Sequence, residues 1–275
     1  MRILIKGAGD LASGIAYELW KAGHEILMTE IEVPLAVRRE VAFSRAVYEG
    51  EALVEDARSI LVHDLYEAFQ VTAGGNIAVI VDEKADIREG YRPDVLVDAI
   101  MAKKNTGTAI TDAPVVIGIG PGFFAGKDCH YVVETKRGPM LGKAIVRGSA
   151  LPNTGIPGNI AGYTMERLIR ASASGILEPM VKIGDLVEKG QLVARTGGVP
   201  VYAQLTGVVR GMLTEGAQVT CGLKIGDIDA RKDRTLCYTI SDKARRIGRG
   251  VLDAIKTEER NLCRASIYSS GRMVV

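Results

Sequence analysis

Residues 2–31, RILIKGAGDLASGIAYELWKAGHEILMTEI, hold the pattern that decides the fold. Arg2 to Lys6 is a short apolar stretch typical of a buried strand, and the glycine-rich turn Gly7 to Ala12 follows it directly. Apolar residues then recur at helical spacing up to Gly23, and Glu25 to Ile31 has the pattern of a second strand. A strand, a glycine turn, a helix and a strand in this order predict a βαβ unit.

The glycine turn fits G-x-G-x-x-A, a pattern of nucleotide-binding turns. Gly7 permits a tight turn, Gly9 leaves room for a pyrophosphate, and Ala12 lets the helix pack close to the sheet. The positive end of the helix then favours phosphate. The candidate cofactor-binding residues of this turn are Gly7, Ala8, Gly9, Asp10, Leu11 and Ala12.

An acidic residue near the end of the second strand would bind ribose hydroxyls. Glu30 follows Gly9 by 30 − 9 = 21 residues and is the candidate, with Glu32 as its rival. Arg38 and Arg39 could pair with a 2′-phosphate or simply form a charged helix face, so NAD and NADP both stay open. A Rossmann-like fold whose nucleotide site has decayed is the alternative interpretation.

Further buried apolar runs predict strands over residues 59–62, 77–81, 94–100 and 115–119, and Pro34 suits the first turn of a second helix. Alternation of strands and helices predicts an α/β fold: a Rossmann-like nucleotide-binding domain with a parallel sheet over residues 1–120. Its last strand runs into a second candidate cofactor-binding turn, Gly120-Pro121-Gly122. A plain tight turn is the alternative there, and Pro121 and Asp128 exclude a P-loop.

Other polar residues near this turn have no role that spacing alone assigns. They are Asp98, Lys104, Asp128 and His130. A structural histidine is the default for His130, and no catalytic residue can be named. The chain has three histidines in all, with no HxxxH or HExxH pattern, so we expect no metal site.

The remaining chain is predicted to be mainly β. A β-rich connecting region covers 121–172, with a helix near Tyr163 to Ala171. Gly175-Ile176-Leu177 matches Gly207-Val208-Val209 at an offset of 207 − 175 = 32, and later glycines and valines match at the same offset. This repeat predicts a small barrel-like sandwich over 173–235, followed by a C-terminal helix and tail over 236–275 whose apolar stripe lies within 241–260.

Composition limits the class of protein. The 275 residues carry 35 Lys and Arg against 33 Asp and Glu, a net charge of +2 that excludes a strongly basic nucleic-acid binder. No apolar run approaches the ~18 residues of a membrane span. Four cysteines without a CxxC pair, together with the absence of a signal peptide, predict a cytoplasmic protein with reduced thiols.

Motifs along nearly the whole chain are similar to the YqeB-type family of selenium-dependent molybdenum hydroxylase system proteins, distantly like the xanthine dehydrogenase accessory (XdhC/CoxI) family. They are IKGAGDLASGIA, TEIEVPLAVRREVAFSRAVYEG, DVLVDAIMAKKNTGT, VIGIGPGFFAGKDCH, ETKRG, LGKAI, PNTGIPG, GDIDAR and SDKARRIGRGVLDAI. The resemblance implies a maturation factor for such a hydroxylase and no established catalytic residues. Pro139 stands where we expect a histidine, so a proton-transfer role at that position is in doubt.

The repeat looks like the barrel-sandwich (biotinyl/lipoyl-like) fold of carrier modules. Their modified lysine would lie on the hairpin between the two halves, where residues 196–203, TGGVPVYA, contain none. We therefore expect the fold without the attachment chemistry.

Three functions remain from the sequence. The first is a hydroxylase maturation factor that binds a nucleotide or a molybdopterin dinucleotide, with the molybdenum hydroxylase or its cofactor-assembly proteins as partners. The second is an NAD(P)-dependent oxidoreductase, and the third is a non-catalytic docking scaffold. No nucleic-acid or membrane partner is expected, and a homodimer is the default assembly.

Overall fold

The computed structural model describes residues 1–270, with side chains described through residue 261. The last five residues of the predicted tail lie outside the described residues. Among the described residues, no helix has the length and apolar character needed to cross a bilayer.

A nine-stranded sheet forms the first half of the molecule, in the order β3-β4-β5-β2-β1-β6-β7-β8-β9. All neighbours from β4 to β8 pair in parallel, whereas β3 and β9 at the two edges are antiparallel. The strands are β1 (Arg2–Lys6), β2 (Glu25–Glu30), β3 (Glu51–Val54), β4 (Ala57–Val62), β5 (Ile77–Val81), β6 (Val95–Asp98), β7 (Val115–Ile119), β8 (Tyr131–Val133) and β9 (Ala144–Ile145).

Helices cover the sheet on both faces. Ile3 and Ile5 of β1 belong to one apolar core with helices α1 and α6, while Leu4 belongs to the core of the opposite face, beneath α3. This alternation follows from the period of two along a strand. The helices are α1 (Asp10–Lys21), α2 (Ala46–Glu49), α3 (Leu65–Ala73), α4 (Arg88–Tyr91), α5 (Thr235–Tyr238) and α6 (Asp242–Ser270).

Helix α6 returns to the first unit and packs closely against α1. A Cβ atom built on Gly14 of α1 would lie 2.5 Å from the Ala244 side chain, and one on Gly248 would lie 2.8 Å from the Gly14 carbonyl oxygen. Such distances are shorter than normal van der Waals contact, so small residues are required at this crossing.

We expect Gly14→Ala to lower the free energy of unfolding by about 1–3 kcal/mol, because the new methyl group overpacks this contact. Ala244→Gly should offset part of that loss in the double variant, since it removes the opposing methyl group. Urea unfolding of the two single variants and the double variant measures the coupling. Additive losses would contradict the packing described here.

The second unit consists of two four-stranded antiparallel sheets, β10-β17-β15-β12 and β14-β13-β11-β16. Equivalent strands of the two halves lie 32 residues apart, as Gly175–Pro179 and Gly207–Met212 do, which confirms the sequence repeat. Strands of the two halves also pair with each other, since β11 pairs with β16 and β12 pairs with β15. The strands are β10 (Leu168–Arg170), β11 (Gly175–Pro179), β12 (Leu186–Val187), β13 (Leu192–Thr196), β14 (Val199–Tyr202), β15 (Gly207–Met212), β16 (Gln218–Val219) and β17 (Lys224–Asp229).

The fold class expected from the sequence, a Rossmann-like parallel sheet followed by a biotinyl/lipoyl-like barrel-sandwich, is corrected by these observations. The first sheet is mixed, because Glu55 and Asp56 form a two-residue turn that makes β3 antiparallel to β4. The sheet also continues beyond residue 120, since β7 pairs with β8. In the second unit, β10 and β14 also lie 32 residues apart, and each of the two antiparallel sheets takes two strands from either half of the repeat.

Two segments that the sequence predicted to be helices have other structures. After Pro34 the chain forms short 3₁₀ turns at Arg39–Val41 and Phe43–Arg45, where the Ser13 hydroxyl accepts the Phe43 amide at 2.7 Å. Near Tyr163 it forms a 3₁₀ turn at Met165–Arg167 and then β10, which pairs with β17. In both places tertiary hydrogen bonds outweigh local helical preference.

Candidate functional site

A cavity of about 870 Å³ opens at the carboxyl edge of the nine-stranded sheet. It lies where the chain leaves β1 toward β2 on one side and returns to β6 on the other. Open α/β sheets bind ligands at such a switch point, and the volume is within the range of small-molecule sites. The walls come from the ends of β1 and β2, the start of α1, the segments 82–88 and 99–107, and Lys224 of the second unit.

The glycine turn between β1 and α1 forms one wall of the cavity. Gly7 has φ +89°, and a Cβ atom there would lie 3.2 Å from the Ala99 carbonyl oxygen, so the turn passes close to the end of β6. A Cβ atom on Gly9 would meet nothing within 4 Å. Gly7 therefore serves the close approach of two backbones, and Gly9 leaves open space above the helix start.

The N-terminus of α1 is not capped by any side chain among the described residues. Gly9 occupies the cap position, and the first-turn amides have no acceptor within the helix because of helix geometry. Helix α3 differs, since its cap residue Asp64 accepts the Glu67 amide at 2.8 Å. The amides of α1 thus face the cavity as free donors at the positive end of the helix dipole.

Glu30 lies at the end of β2, beside the glycine turn. Its Oε2 accepts the Ala8 amide and its Oε1 accepts the Ile31 amide, both at 2.9 Å. Burial raises the pKa of Glu30, and the amides of Ile31 and Ala8 partly oppose that effect. The carboxylate retains lone pairs toward the cavity, so it can also accept hydroxyl groups of a ligand.

Glu30→Gln is expected to remove a pH dependence of stability. The folded pKa of Glu30 lies above its unfolded value. Between these two pKa values the native state holds a proton that the unfolded state has released. Stability of the wild type relative to the variant is therefore greatest below about pH 4 and falls as pH rises through the folded pKa. Urea unfolding between about pH 4 and pH 7 measures this, with Glu32→Gln at an exposed neighbour as control. A difference that grows with pH would contradict the assignment.

Asp10, the first residue of α1, is neutralised by a buried arginine. Arg38 donates from Nη1 to both carboxylate oxygens of Asp10, at 3.0 and 3.1 Å. Its Nη2 donates to the carbonyl oxygens of Leu236 and Thr239, each at 3.0 Å. Arg38 is only 7% exposed. Without this guanidinium the Asp10 carboxylate would oppose an anion at the helix start.

Lys6, the last residue of β1, lies at the base of the cavity and is 6% exposed. Its Nζ donates to Thr108 Oγ1 at 2.7 Å and lies 3.6 Å from Asp98 Oδ2. The Thr108 hydroxyl in turn donates to Asp98 Oδ2 at 2.6 Å. Lys6 and Asp98 are register partners in the adjacent strands β1 and β6, so the sheet itself brings this pair together.

Charged side chains of both signs line the cavity. Past β2 and β5 the lining holds the acidic residues Glu30, Asp82, Glu83 and Asp86 together with the cations Lys84 and Arg88. Lys6 contributes positive charge from β1, and Lys224 does so from the second unit, where its Nζ lies 3.7 Å from Asp227. Acceptors and cations in one cavity suit a ligand that carries both hydroxyl donors and anionic groups.

The structure brings together most of the candidate residues of the first turn. Gly7, Gly9, Asp10, Leu11, Ala12 and Glu30 line the cavity. Ala8 lies behind the turn, fully buried, and its amide binds Glu30. Glu32 and Arg39 do not line the cavity, and Arg39 instead donates from Nε to the Met212 carbonyl at 2.9 Å.

The second glycine turn lies outside the cavity lining. A Cβ atom on Gly120 would lie 2.8 Å from the Thr135 hydroxyl, and one on Gly122 would lie 2.7 Å from the Lys104 backbone. Gly120 and Gly122 thus pack against the wall formed by residues 99–107 from behind, and Pro121 between them does not line the cavity. The geometry favours the tight-turn alternative.

Asp128 and His130 have structural contacts. Asp128 accepts the Phe124 amide at 2.8 Å, and His130 Nδ1 accepts the Val116 amide at 3.0 Å. Pro139 occupies the position where a histidine was expected. Two residues earlier, Arg137 Nη1 forms an ion pair with Asp242 Oδ2 at 2.9 Å.

Sequence reasoning missed Lys6, Thr108 and Lys224. Only Lys6 had a sequence signal, since it immediately precedes the first glycine of the turn. Among the described residues, no group of three or more His, Cys, Asp or Glu side chains could hold a metal ion.

Known proteins include a sequence relative of this chain and several distant structures. No family model matches the chain. The chain is similar to the "Uncharacterized protein YqeB" of Escherichia coli K12, at 49% identity over 253 residues, which supports the YqeB-type resemblance. The alignment covers 92% of this chain but 47% of that protein, so the chain spans about half the length of this curated relative.

Solved structures match only distantly. An aspartoacylase family protein from Mesorhizobium loti is 15% identical, with 82% of this chain and 84% of that chain covered and a TM-score of 0.26. A succinylglutamate desuccinylase from Silicibacter is 14% identical over 82% and 84% of the two chains, with a TM-score of 0.23. Likeness at this level lends no activity to this chain.

The functional expectation is corrected here. The curated relative is described only as uncharacterized, so its description assigns no role in hydroxylase maturation. The maturation role, with its selenium and molybdenum chemistry and its hydroxylase partner, is therefore withdrawn. Neither the NAD(P)-dependent oxidoreductase nor the docking scaffold gains support from the comparisons, and no match supports a barrel-sandwich carrier module.

Proposed function

We propose that this protein binds a phosphorylated, hydroxyl-bearing small molecule in the cavity at the carboxyl edge of its large sheet. The observation that carries the proposal is the uncapped N-terminus of α1, which opens into a cavity of about 870 Å³ beside Gly9. Free first-turn amides and the helix dipole together form an anion site.

Glu30 defines the other recognition element. Its carboxylate is held by two backbone amides, so its orientation is fixed before a ligand enters. A preorganised acceptor loses little conformational entropy on binding hydroxyl groups. A ligand with a phosphate group for α1 and hydroxyl groups for Glu30 is needed. Sugar phosphates and related phosphate esters carry both kinds of group.

Calorimetric titration of the wild type with matched pairs of compounds tests this function. Ribose 5-phosphate is compared with ribose, and ADP with adenosine, so that each pair differs in phosphate alone. We expect the phosphorylated member to bind at least tenfold more tightly, a difference of about 1.4 kcal/mol or more. Equal affinity within both pairs, or no binding of any member, would overturn the proposal.

A further inference from the structure

Lys6 lines the same cavity as the α1 phosphate site. A ligand role for this lysine rests on the proposed function, because it concerns another part of that cavity. The cavity straddles the edge of the sheet at β1. Residue alternation puts the Lys6 side chain on the same face as Leu4, opposite the face of Ile3 and Ile5 that α1 covers.

The lysine is buried without being fully satisfied. An ammonium has three donors, and among the described residues Lys6 makes one hydrogen bond, to Thr108, while Asp98 lies at 3.6 Å. Its side chain is 7% exposed and still lines the cavity. A cation held out of water and directed into a cavity gains most when an anionic group supplies its remaining acceptors.

The residues around Lys6 fix its position. Thr108 donates to Asp98 and accepts from Lys6, so the three side chains form one chain of hydrogen bonds. Asn105 holds Thr108, since its Oδ1 accepts the Thr108 amide at 2.8 Å and its Nδ2 donates to the Thr108 carbonyl at 2.7 Å.

The loop that supplies Thr108 is strained. Met101 and Lys103 have φ values of +64° and +63°, which non-glycine residues rarely adopt. Such conformations persist only where surrounding contacts enforce them, and they cluster at functional sites. The loop forms the cavity wall through Ala99, Ile100, Met101, Thr106 and Gly107.

We infer that Lys6 binds an oxyanion of the ligand on the far side of β1 from the α1 phosphate site, with Thr108 and Asp98 as positioning residues. The ligand class is therefore a phosphate ester that carries a second anionic group, either a carboxylate or another phosphate. Asp98 offsets the charge of the lysine in the empty cavity, which keeps the buried ammonium from standing unpaired.

The test compares probes that differ in the second group. The affinity for glycerol 3-phosphate is compared with that for 3-phosphoglycerate, which carries a carboxylate in addition. The affinity for ribose 5-phosphate is compared with that for ribose 1,5-bisphosphate, which carries a second phosphate. The wild type is expected to bind at least one doubly anionic probe about ten- to a hundredfold more tightly than its partner. Lys6→Met should abolish that preference and keep the affinity for the singly phosphorylated probe.

Two further variants make the outcome decisive. Lys6→Met leaves Asp98 without its cation, so Lys6→Met/Asp98→Asn removes both charges and serves as the readout if the single variant does not fold. Lys127→Met, at an exposed lysine outside the cavity lining, is the control and should keep the preference. Binding of single phosphates without any preference overturns the Lys6 assignment alone, whereas no binding of any probe overturns the phosphate site itself. A preference that survives in the Lys6 variants also overturns the assignment.

Discussion

Replacing Gly9 with aspartate is expected to weaken binding of phosphorylated ligands by at least a hundredfold. The open space beside Gly9, where a Cβ atom would have no other atom within 4 Å, is where the phosphate would sit. A carboxylate there both fills that space and caps the α1 amides that the phosphate needs. A hundredfold loss corresponds to about 2.7 kcal/mol of binding free energy.

The matched control is Gly23→Asp at the other end of the same helix. Gly23 also has open space around its Cβ position, although its φ of +86° makes the substitution strained. We expect the control to lose about 1 kcal/mol of stability and to keep its affinity. Gly9→Asp should keep its melting temperature, because aspartate is a favourable cap residue. Unchanged affinity in Gly9→Asp would contradict the assigned phosphate site.

Replacing Arg38 with methionine is expected to have the largest effect on stability, a loss of about 3 kcal/mol. The change leaves the Asp10 carboxylate without its cation. It also removes the hydrogen-bond donor of the Leu236 and Thr239 carbonyl oxygens. Arg38 also joins the start of α1 to the end of the chain segment that contains α5, so its loss removes that contact. Urea unfolding measures the difference.

Arg39→Met is the control for this change. Among the described residues, the Arg39 side chain makes one hydrogen bond, from Nε to the Met212 carbonyl, and its loss should cost about 1 kcal/mol. Arg38→Met should also weaken phosphate binding, because the uncompensated Asp10 carboxylate repels an anion. Arg38→Met/Asp10→Asn should restore affinity while stability stays reduced. Equal losses in Arg38→Met and Arg39→Met would contradict the role given to the Asp10 pair.

Local sequence signals predicted the first turn correctly. Residues Gly7 to Gly9 connect β1 to α1, residues Asp10 to Ala12 begin that helix, and Glu30 ends β2 beside them. These features depend only on neighbours in the chain. Buried strands such as Ile77–Val81 and Val115–Ile119 were visible for the same reason, since a parallel sheet covered on both faces produces continuous apolar runs.

Features that depend on distant residues were not predictable. The direction of β3 depends on the turn at Glu55 and Asp56, which lacks the glycine typical of hairpins. Lys6 and Asp98 meet because β1 and β6 are neighbours, although 92 residues separate them (98 − 6 = 92). The Gly120 turn looks like a ligand loop in the sequence because glycine serves close packing, here against Thr135, as well as ligand approach.

The position of a bound phosphate decides whether the start of α1 is an anion site. Crystals of the full chain soaked with ADP, and separately with pyrophosphate, would show where the phosphate groups lie. We predict phosphate oxygens within about 3 Å of the backbone amides at residues 10–12, with the ligand extending toward Glu30. Phosphate density elsewhere on the protein, with the start of α1 in contact with water alone, would contradict the proposed site.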